Sequence, residues 1–350
     1  DFLTGAFPAE YGNALGGVFD IRLRHGNTER REYAFQAGTL GIDFAAEGPL
    51  ALGSGASYLL NYRYSTFGLI YHLFPDVEQV PRYQDLSFKV EVPTRHWGTL
   101  SLFGVGALDA LTEPEEPDSS RWSSEWDRIH IDGDIAIGAA GLNHSCILGQ
   151  NTYLRTTLAT SLNRTWMDQD RLDASLALQP DERIHVLAGR HTLSTYADHR
   201  FGRRHTNRTG FALHRLYYDQ RLADVDDRTR VFTEYVDADG TAALAQAYSQ
   251  SQVTLTDRLE ANLGAHLQHF ALNGRTSVEP RASLRWALDP DQSLALGYGL
   301  HSQLDELSLY LSEQTVDGRT VQPNRDLDFS KAHHLTLAYQ RRLGPQMRLV

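Results

Sequence analysis

Residues 277–288 read S-V-E-P-R-A-S-L-R-W-A-L, which sets Val278, Pro280, Ala282, Leu284, Trp286 and Leu288 on one parity and Ser277, Glu279, Arg281, Ser283 and Arg285 on the other. Side chains of a strand alternate between its faces, so this stretch predicts a strand lying between an apolar medium and a polar one. The same alternation recurs. Ala56, Tyr58, Leu60, Tyr62 and Tyr64 oppose Ser57, Asn61, Arg63 and Ser65, and Leu86, Phe88, Val90 and Val92 oppose Asp85, Ser87, Lys89 and Glu91. Tyr33, Phe35 and Ala37 share a parity that Ile42, Phe44 and Ala46 reverse, which predicts a tight hairpin or a bulge near 38–41. Further strands are expected over 98–107, 128–146, 151–163, 190–201, 207–219, 247–256, 259–271, 293–302 and 333–343, with another beginning at Arg348.

The connections fall into two alternating classes. Short ones cover 49–55, 93–97, 148–150, 202–206, 256–258, 289–292 and 344–346; longer polar ones cover 66–81, 109–127, 164–189, 220–246 and 303–332. Short turns at one end and long loops at the other are the topology of an outer-membrane barrel. The fold class is therefore all-β, an antiparallel transmembrane β-barrel with a polar interior. Residues 237–240 (Asp-Ala-Asp-Gly) lack the closing Glu of a calcium loop and read as a turn. Pro280 is an awkward strand residue in a closed barrel, because it has no N–H for the ladder; a bulge or a frayed end is expected there.

Composition narrows the picture. Among 350 residues, 41% are hydrophobic and the mean hydropathy is −0.41. No apolar run reaches the roughly 18 residues of a spanning helix, whereas an alternating strand crosses with about 9–11 residues, half of them polar. The net charge of −11 and scattered arginines argue against nucleic acid as a partner. One cysteine, Cys146, allows neither an internal disulfide nor a thiolate zinc cage. His191, His199 and His205 read as ordinary polar positions, so no metal site and no cofactor are expected. Hydrolase, zincin and Walker motifs are missing, which argues against an enzyme. Trp122, Trp126 and Trp166 fall in loops or at strand ends, where aromatic girdles anchor a barrel or stack on a sugar. Arg63, Glu279, Arg281 and Arg285 are the candidate lumen-facing contacts, to ligand or to whatever fills the lumen.

The first thirty residues do not alternate. Glu10, Tyr11, Gly12, Asn13, Gly16 and Gly17 belong to E-Y-G-N-A-L-G-G-V-F-D-I-R, which resembles the end of the plug domain of TonB-dependent outer-membrane receptors. Residues 45–49 (A-A-E-G-P), 58–65 (Y-L-L-N-Y-R-Y-S) and Glu279-Pro280-Arg281 are similar to the same family, its Bacteroidetes-like members in particular. The resemblance implies a plug terminus over 1–28, a barrel wall over 29–350, and location in the outer membrane of a Gram-negative bacterium. It also implies energised import of a scarce small-molecule or oligomeric nutrient: a siderophore, oligosaccharide, cobalamin or peptide. The implied partners are outer-membrane lipid, a TonB complex engaged through an N-terminal region outside this chain, and a surface lipoprotein. Complete barrels of this kind have about 22 strands, and some 14 are legible here, so an internal fragment is expected. The alternatives are a passive porin or an adhesin-like barrel, neither of which needs residues 10–21. A barrel hydrolase would need a Ser, His and carboxylate converging at one rim.

Overall fold

The computed structural model describes residues 1–38, 41–52, 55–66, 82–226, 229–344 and 348–349; Tyr71, Asp227 and most of the expected 66–81 loop lie outside them. Two short strands, β1 (Phe2–Thr4) and β2 (Gly17–Phe19), pair with each other. The wall follows as β3 (Glu32–Ala37), β4 (Ile42–Pro49), β5 (Ser57–Tyr64), β6 (Arg82–Thr94), β7 (Gly98–Glu113), β8 (Ile129–Leu148) and β9 (Thr152–Leu172). It continues as β10 (Leu178–Arg200), β11 (His205–Val225), β12 (Phe232–Thr256), β13 (Leu259–Phe270), β14 (Arg275–Asp289) and β15 (Gln292–Gln303). The next connection carries a short helix, α1 (Leu307–Leu311), and a hairpin of β16 (Gln314–Val316) and β17 (Arg319–Val321), before β18 (Ser330–Arg342) and β19 (Arg348–Leu349).

Among the described residues β3–β15, β18 and β19 form one 15-stranded sheet in which every strand pairs antiparallel with its neighbours in sequence, the β15–β18 step apart. Fourteen of these are full strands and β19 is two residues long, in line with the expected tally. The alternation sorts by face as anticipated. On β14, Val278 is 61% exposed while Ser277, Glu279 and Arg281 are 2%, 0% and 5% exposed. Leu263, Leu267, Leu284, Trp286, Leu296, Leu335 and Leu337 extend the same outward apolar band across β13–β18. No helix among the described residues is long and apolar enough to cross a membrane.

Several expected loops are strand instead. β9 and β10 run to Leu172 and from Leu178, and β11 and β12 run to Val225 and from Phe232, so most of 164–189 and 220–246 is paired hairpin. β12 alone has 25 residues, more than twice the roughly 9–11 that span a bilayer. Beyond the lipid both faces of a hairpin meet water, so apolar alternation ends while the ladder continues. Asp168, Gln169, Asp170 and Arg171 are such a run. For the same reason 237–240 is strand, registered with 218–221, and not a turn. Near Gly38 the chain does reverse, Gly38 N–H donating to Gly41 O at 2.9 Å, with 39–40 outside the described residues.

Pro280 sits without a bulge. It is in register with Ala265 of β13, and on its other side the β14–β15 ladder ends at Arg281–Gly299, one residue short of it. The frayed end anticipated there is therefore one-sided, since β14 stays paired to β13 through Arg275.

Candidate functional site: a buried polar seat for the N-terminal segment

The inward face of β10–β18 carries a ladder of polar side chains fixed by strand register. His214, Gln246, Gln268 and Glu279 lie on neighbouring strands and bond in series. Thr192 bonds His214 Nδ1 at 2.9 Å, and His214 Nε2 meets Gln246 Oε1 at 3.1 Å. Gln246 Nε2 donates to Gln268 Oε1 at 2.7 Å, and Gln268 Nε2 to Glu279 Oε1 at 2.7 Å. Because an amide oxygen only accepts, His214 Nε2 carries the proton and its Nδ1 accepts from Thr192. Ser302 closes the far side: its hydroxyl donates to Glu279 Oε1 at 2.5 Å and its carbonyl accepts from Gln268 at 3.0 Å.

The chain ends in an ion pair. Arg281 Nη2 donates to Glu279 Oε2 at 2.6 Å, with side chains 4% and 0% exposed. Two charges withdrawn from water this far need their remaining donors and lone pairs largely met, and of the three guanidinium nitrogens Arg281 Nε is left without a partner. The other arm of the guanidinium meets backbone: Nη1 donates to the carbonyls of Pro8 (2.5 Å), Tyr11 (2.6 Å) and Phe7 (3.4 Å). Its plane also lies 5.0 Å from the Phe7 ring centroid. One side chain thereby joins the sheet to a segment some 270 residues earlier in the chain.

That segment, residues 5–13, is tied down along its length. Gly5 O accepts from His334 Nδ1 (2.6 Å) and Ala9 O from His266 Nδ1 (2.7 Å), while Ala9 N–H donates to Gln250 Oε1 (2.6 Å). Phe7, 2% exposed, packs against His301 in a tilted ring pair with centroids 3.9 Å apart. Glu10 pairs with Arg208, which also grips Asp198 through Nε at 2.6 Å and Nη2 at 2.8 Å. Asn13, at φ 54°, accepts from Leu304 N–H through Oδ1 at 2.7 Å. Few of this segment's backbone groups join β-ladders, so the wall's side chains satisfy them.

Gly12 has a steric reason. A Cβ there would lie 2.1 Å from His266 Nε2, so only glycine lets the segment reach the wall. Gly17 instead makes room for the Leu3 carbonyl in the β1–β2 pair, and Gly16 has open space around it. The Tyr11 hydroxyl donates to Asp20 at 3.2 Å; burial first, then the charges of Glu10 and Asp20, push its phenol up to about 12. Asp20 is held below the usual carboxylate range, chiefly by its bond with Arg22.

The structure divides the sequence-selected residues. Tyr11 meets Arg281, and so Glu279, through its carbonyl, while Glu10, Gly12 and Asn13 of the same segment meet Arg208, His266 and Leu304. Arg63 faces the same side but lies far along the sheet, half exposed and 3.6 Å from both Asp43 and Asp85. Arg285 shares the parity of Arg281 yet is exposed near the 289–292 turn. The tryptophans stand at the long-loop end: Trp166 stacks on His185 at 3.5 Å on the outward face, Trp126 is exposed, and Trp122 donates to Glu116 O under the Arg128 guanidinium. His266, Gln268, His301, Ser302 and His334 escaped the sequence reading. For His266, Gln268, His301 and His334 the signal was a polar residue on the inward parity of β13, β15 and β18, while Ser302 falls on the other parity at the end of β15; parity alone does not say which positions are covered.

Comparison with known proteins places this architecture. The family model described as TonB dependent receptor-like, beta-barrel, matches residues 4–340. A search of curated proteins gives no match. Among solved structures the siderophore receptor PirA from Acinetobacter baumannii is 14% identical with a TM-score of 0.65, covering 97% of this chain and 55% of its own. The pyoverdine outer membrane receptor FpvA from Pseudomonas aeruginosa is 11% identical with a TM-score of 0.69, covering 97% and 55%. The outer membrane transporter YddB from Escherichia coli is 11% identical with a TM-score of 0.64, covering 98% and 53%. This chain thus spans a little over half the length of the proteins it resembles. These neighbours are receptors and transporters, not enzymes. With its antiparallel wall, lipid-facing apolar band and polar inward face, the chain belongs to the TonB-dependent receptor β-barrel family of the Gram-negative outer membrane.

Proposed function

We propose that this chain is part of an energised importer in which residues 1–28 are the end of a plug and residues 29–350 line the lumen around it. The observation that carries this reading is the seat itself: Arg281, His266, His334, Gln250 and Arg208 hold residues 5–13 against the inward face. An open pore or a surface-display barrel has no need of a buried guanidinium that caps three carbonyls of an inner segment. Residues 5–13 are held largely by hydrogen bonds and the Glu10–Arg208 ion pair, contacts that a pulled segment can exchange for water. Bonds to backbone carbonyls also tolerate such exchange without a change of register.

Cargo would be a scarce nutrient too large or too dilute for diffusion. The siderophore and pyoverdine receptors named among the structural neighbours make a ferric chelate the first substrate to test, ahead of an oligosaccharide, cobalamin or peptide. A TonB complex would deliver force through the plug, and a surface lipoprotein is a further candidate partner. The test is uptake of radioactive ferric siderophores by cells whose only such receptor is the full-length parent protein. Uptake should vanish when TonB is deleted. Uptake that persists without TonB would instead favour a passive porin.

A further inference from the structure

The connection between β15 and β18 does not project from the rim. Leu304, Leu307, Tyr310 and Phe329 pack with Tyr218, Ala242, Leu244 and Phe270 in one buried apolar cluster. Register puts Leu244 opposite both His214 and Phe270, two residues along β12 from Gln246, and Tyr218 opposite Gly240, all on the inward face. Helix α1 therefore lies inside the wall, at the long-loop end of the polar seat. A Cβ on Gly240 would come 2.5 Å from Leu311 Cδ1, which is how close the helix runs to the sheet.

Three further ties fix the connection. Asn273 Nδ2 donates to the carbonyls of Arg325 (3.0 Å) and Leu327 (2.9 Å), Arg275 donates to Asp326 O at 3.1 Å, and Leu304 N–H reaches Asn13. Surface loops rarely bury four large apolar side chains, and Tyr310 is 0% exposed here.

We propose that residues 304–329 are a fixed collar of the lumen, a built-in constriction that limits the size of solute reaching residues 5–13 from outside. It sits at the long-loop end, which faces outward in such barrels. A mobile lid would be held by exposed, exchangeable contacts; this segment is held by a buried apolar cluster anchored to β11–β13. The inference rests on the reading of the chain as a lumen wall around an inner segment, but not on energised transport.

The experiment uses the full-length receptor in intact cells lacking TonB, with Cys146→Ser and a reporter at Ser194→Cys, half-buried on the inward face of β10 and level with Gln246 of the seat. A small methanethiosulfonate and a bulky polyethylene-glycol maleimide are added from outside. With the collar intact the small reagent should label the reporter and the bulky one should not. Replacing 307–311 with Gly-Ser should raise bulky labelling at least fivefold, with correct folding checked by heat-modifiable gel mobility. In a separate purified variant, nitroxides at Leu309→Cys and Arg258→Cys should give one narrow distance distribution. Bulky labelling of the intact collar, no change on helix replacement, or two separated distances would each overturn the proposal. Since TonB is absent throughout, those outcomes are independent of the uptake test, whose failure would leave the collar standing.

Discussion

Arg63 and Arg281 occupy the same face of one sheet, each next to carboxylates, yet only Arg281 is part of a built site. Arg63 is half exposed and 3.6 Å from Asp43 and Asp85, a loose surface cluster. Arg281 is 2.6 Å from Glu279, buried under residues 5–13, and divides its two terminal nitrogens between a carboxylate and three carbonyls. The difference is cover. Around Arg63 water competes for the charges, although residues 23–27 cover the other end of β4–β6 at Glu47, Lys89 and Glu91, while on β13–β15 an inner segment has replaced water with fixed donors and acceptors. Identical side chains on one continuous wall thus differ in what they contribute, because burial raises the cost of leaving a charge unmet.

The sharpest way to break this contrast is Glu279→Ala, which leaves the Arg281 charge buried without its carboxylate. It should lower unfolding free energy by roughly 3–5 kcal/mol, read as a drop in the urea midpoint of the full-length protein in lipid. The double variant Glu279→Leu with Arg281→Met should recover much of that loss, though residues 5–13 should then exchange amide hydrogens faster. No difference between single and double variants would remove the case for a coupled pair.

Next in size is the contrast across β14 itself. Leu284→Arg puts a charge on the outward face and should cost about 2–4 kcal/mol near the bilayer midplane, measured by reversible folding into vesicles. Arg285→Leu, one residue on and facing inward, should change that equilibrium little. Equal penalties would mean that the faces are misassigned.

A smaller effect is expected at Arg63. Truncation to Ala should shift stability by only about 0–1 kcal/mol, because exposed ion pairs are screened. A loss as large as that of Glu279→Ala would show that the Arg63 end of β4–β6 is covered too.

The smallest test lies outside the membrane, in the β9–β10 turn. Asp173 accepts from Ser175 N–H (2.7 Å), the Ser175 hydroxyl (2.6 Å) and Ala177 N–H (3.1 Å), and these bonds, the hydroxyl first, hold its carboxyl down to about 2. A depressed carboxylate stabilises above its unfolded pKa and loses that contribution as pH falls through the folded one. Amide shifts of Ser175 and Ala177 should therefore stay native at pH 4 and move only as pH approaches 2. A midpoint near 4 would mean that the turn bonds are absent in solution.

Much of the wall was legible beforehand. Strand parity placed Leu284 outside and Arg281 inside, because lipid and a polar lumen act on alternate residues of every crossing. The reading failed where that pressure stops: past the bilayer, β9–β12 keep their ladders while both faces are wet, so paired strand looked like polar loop. At the site, Glu279, Arg281 and the segment at residues 10–13 were each visible, but their meeting was not. Local pattern decides which way a side chain points. It cannot report that residues 5–13 return across some 270 positions to cover one part of the wall, or that His266, Gln268, Ser302 and His334 converge there. What the sequence determined alone was the wall and its two faces, since alternation is a property of neighbouring residues. Which inward charges are buried, and which stay in water, was decided only by the tertiary fold, because burial depends on what lies above a side chain and not on what stands beside it in the chain.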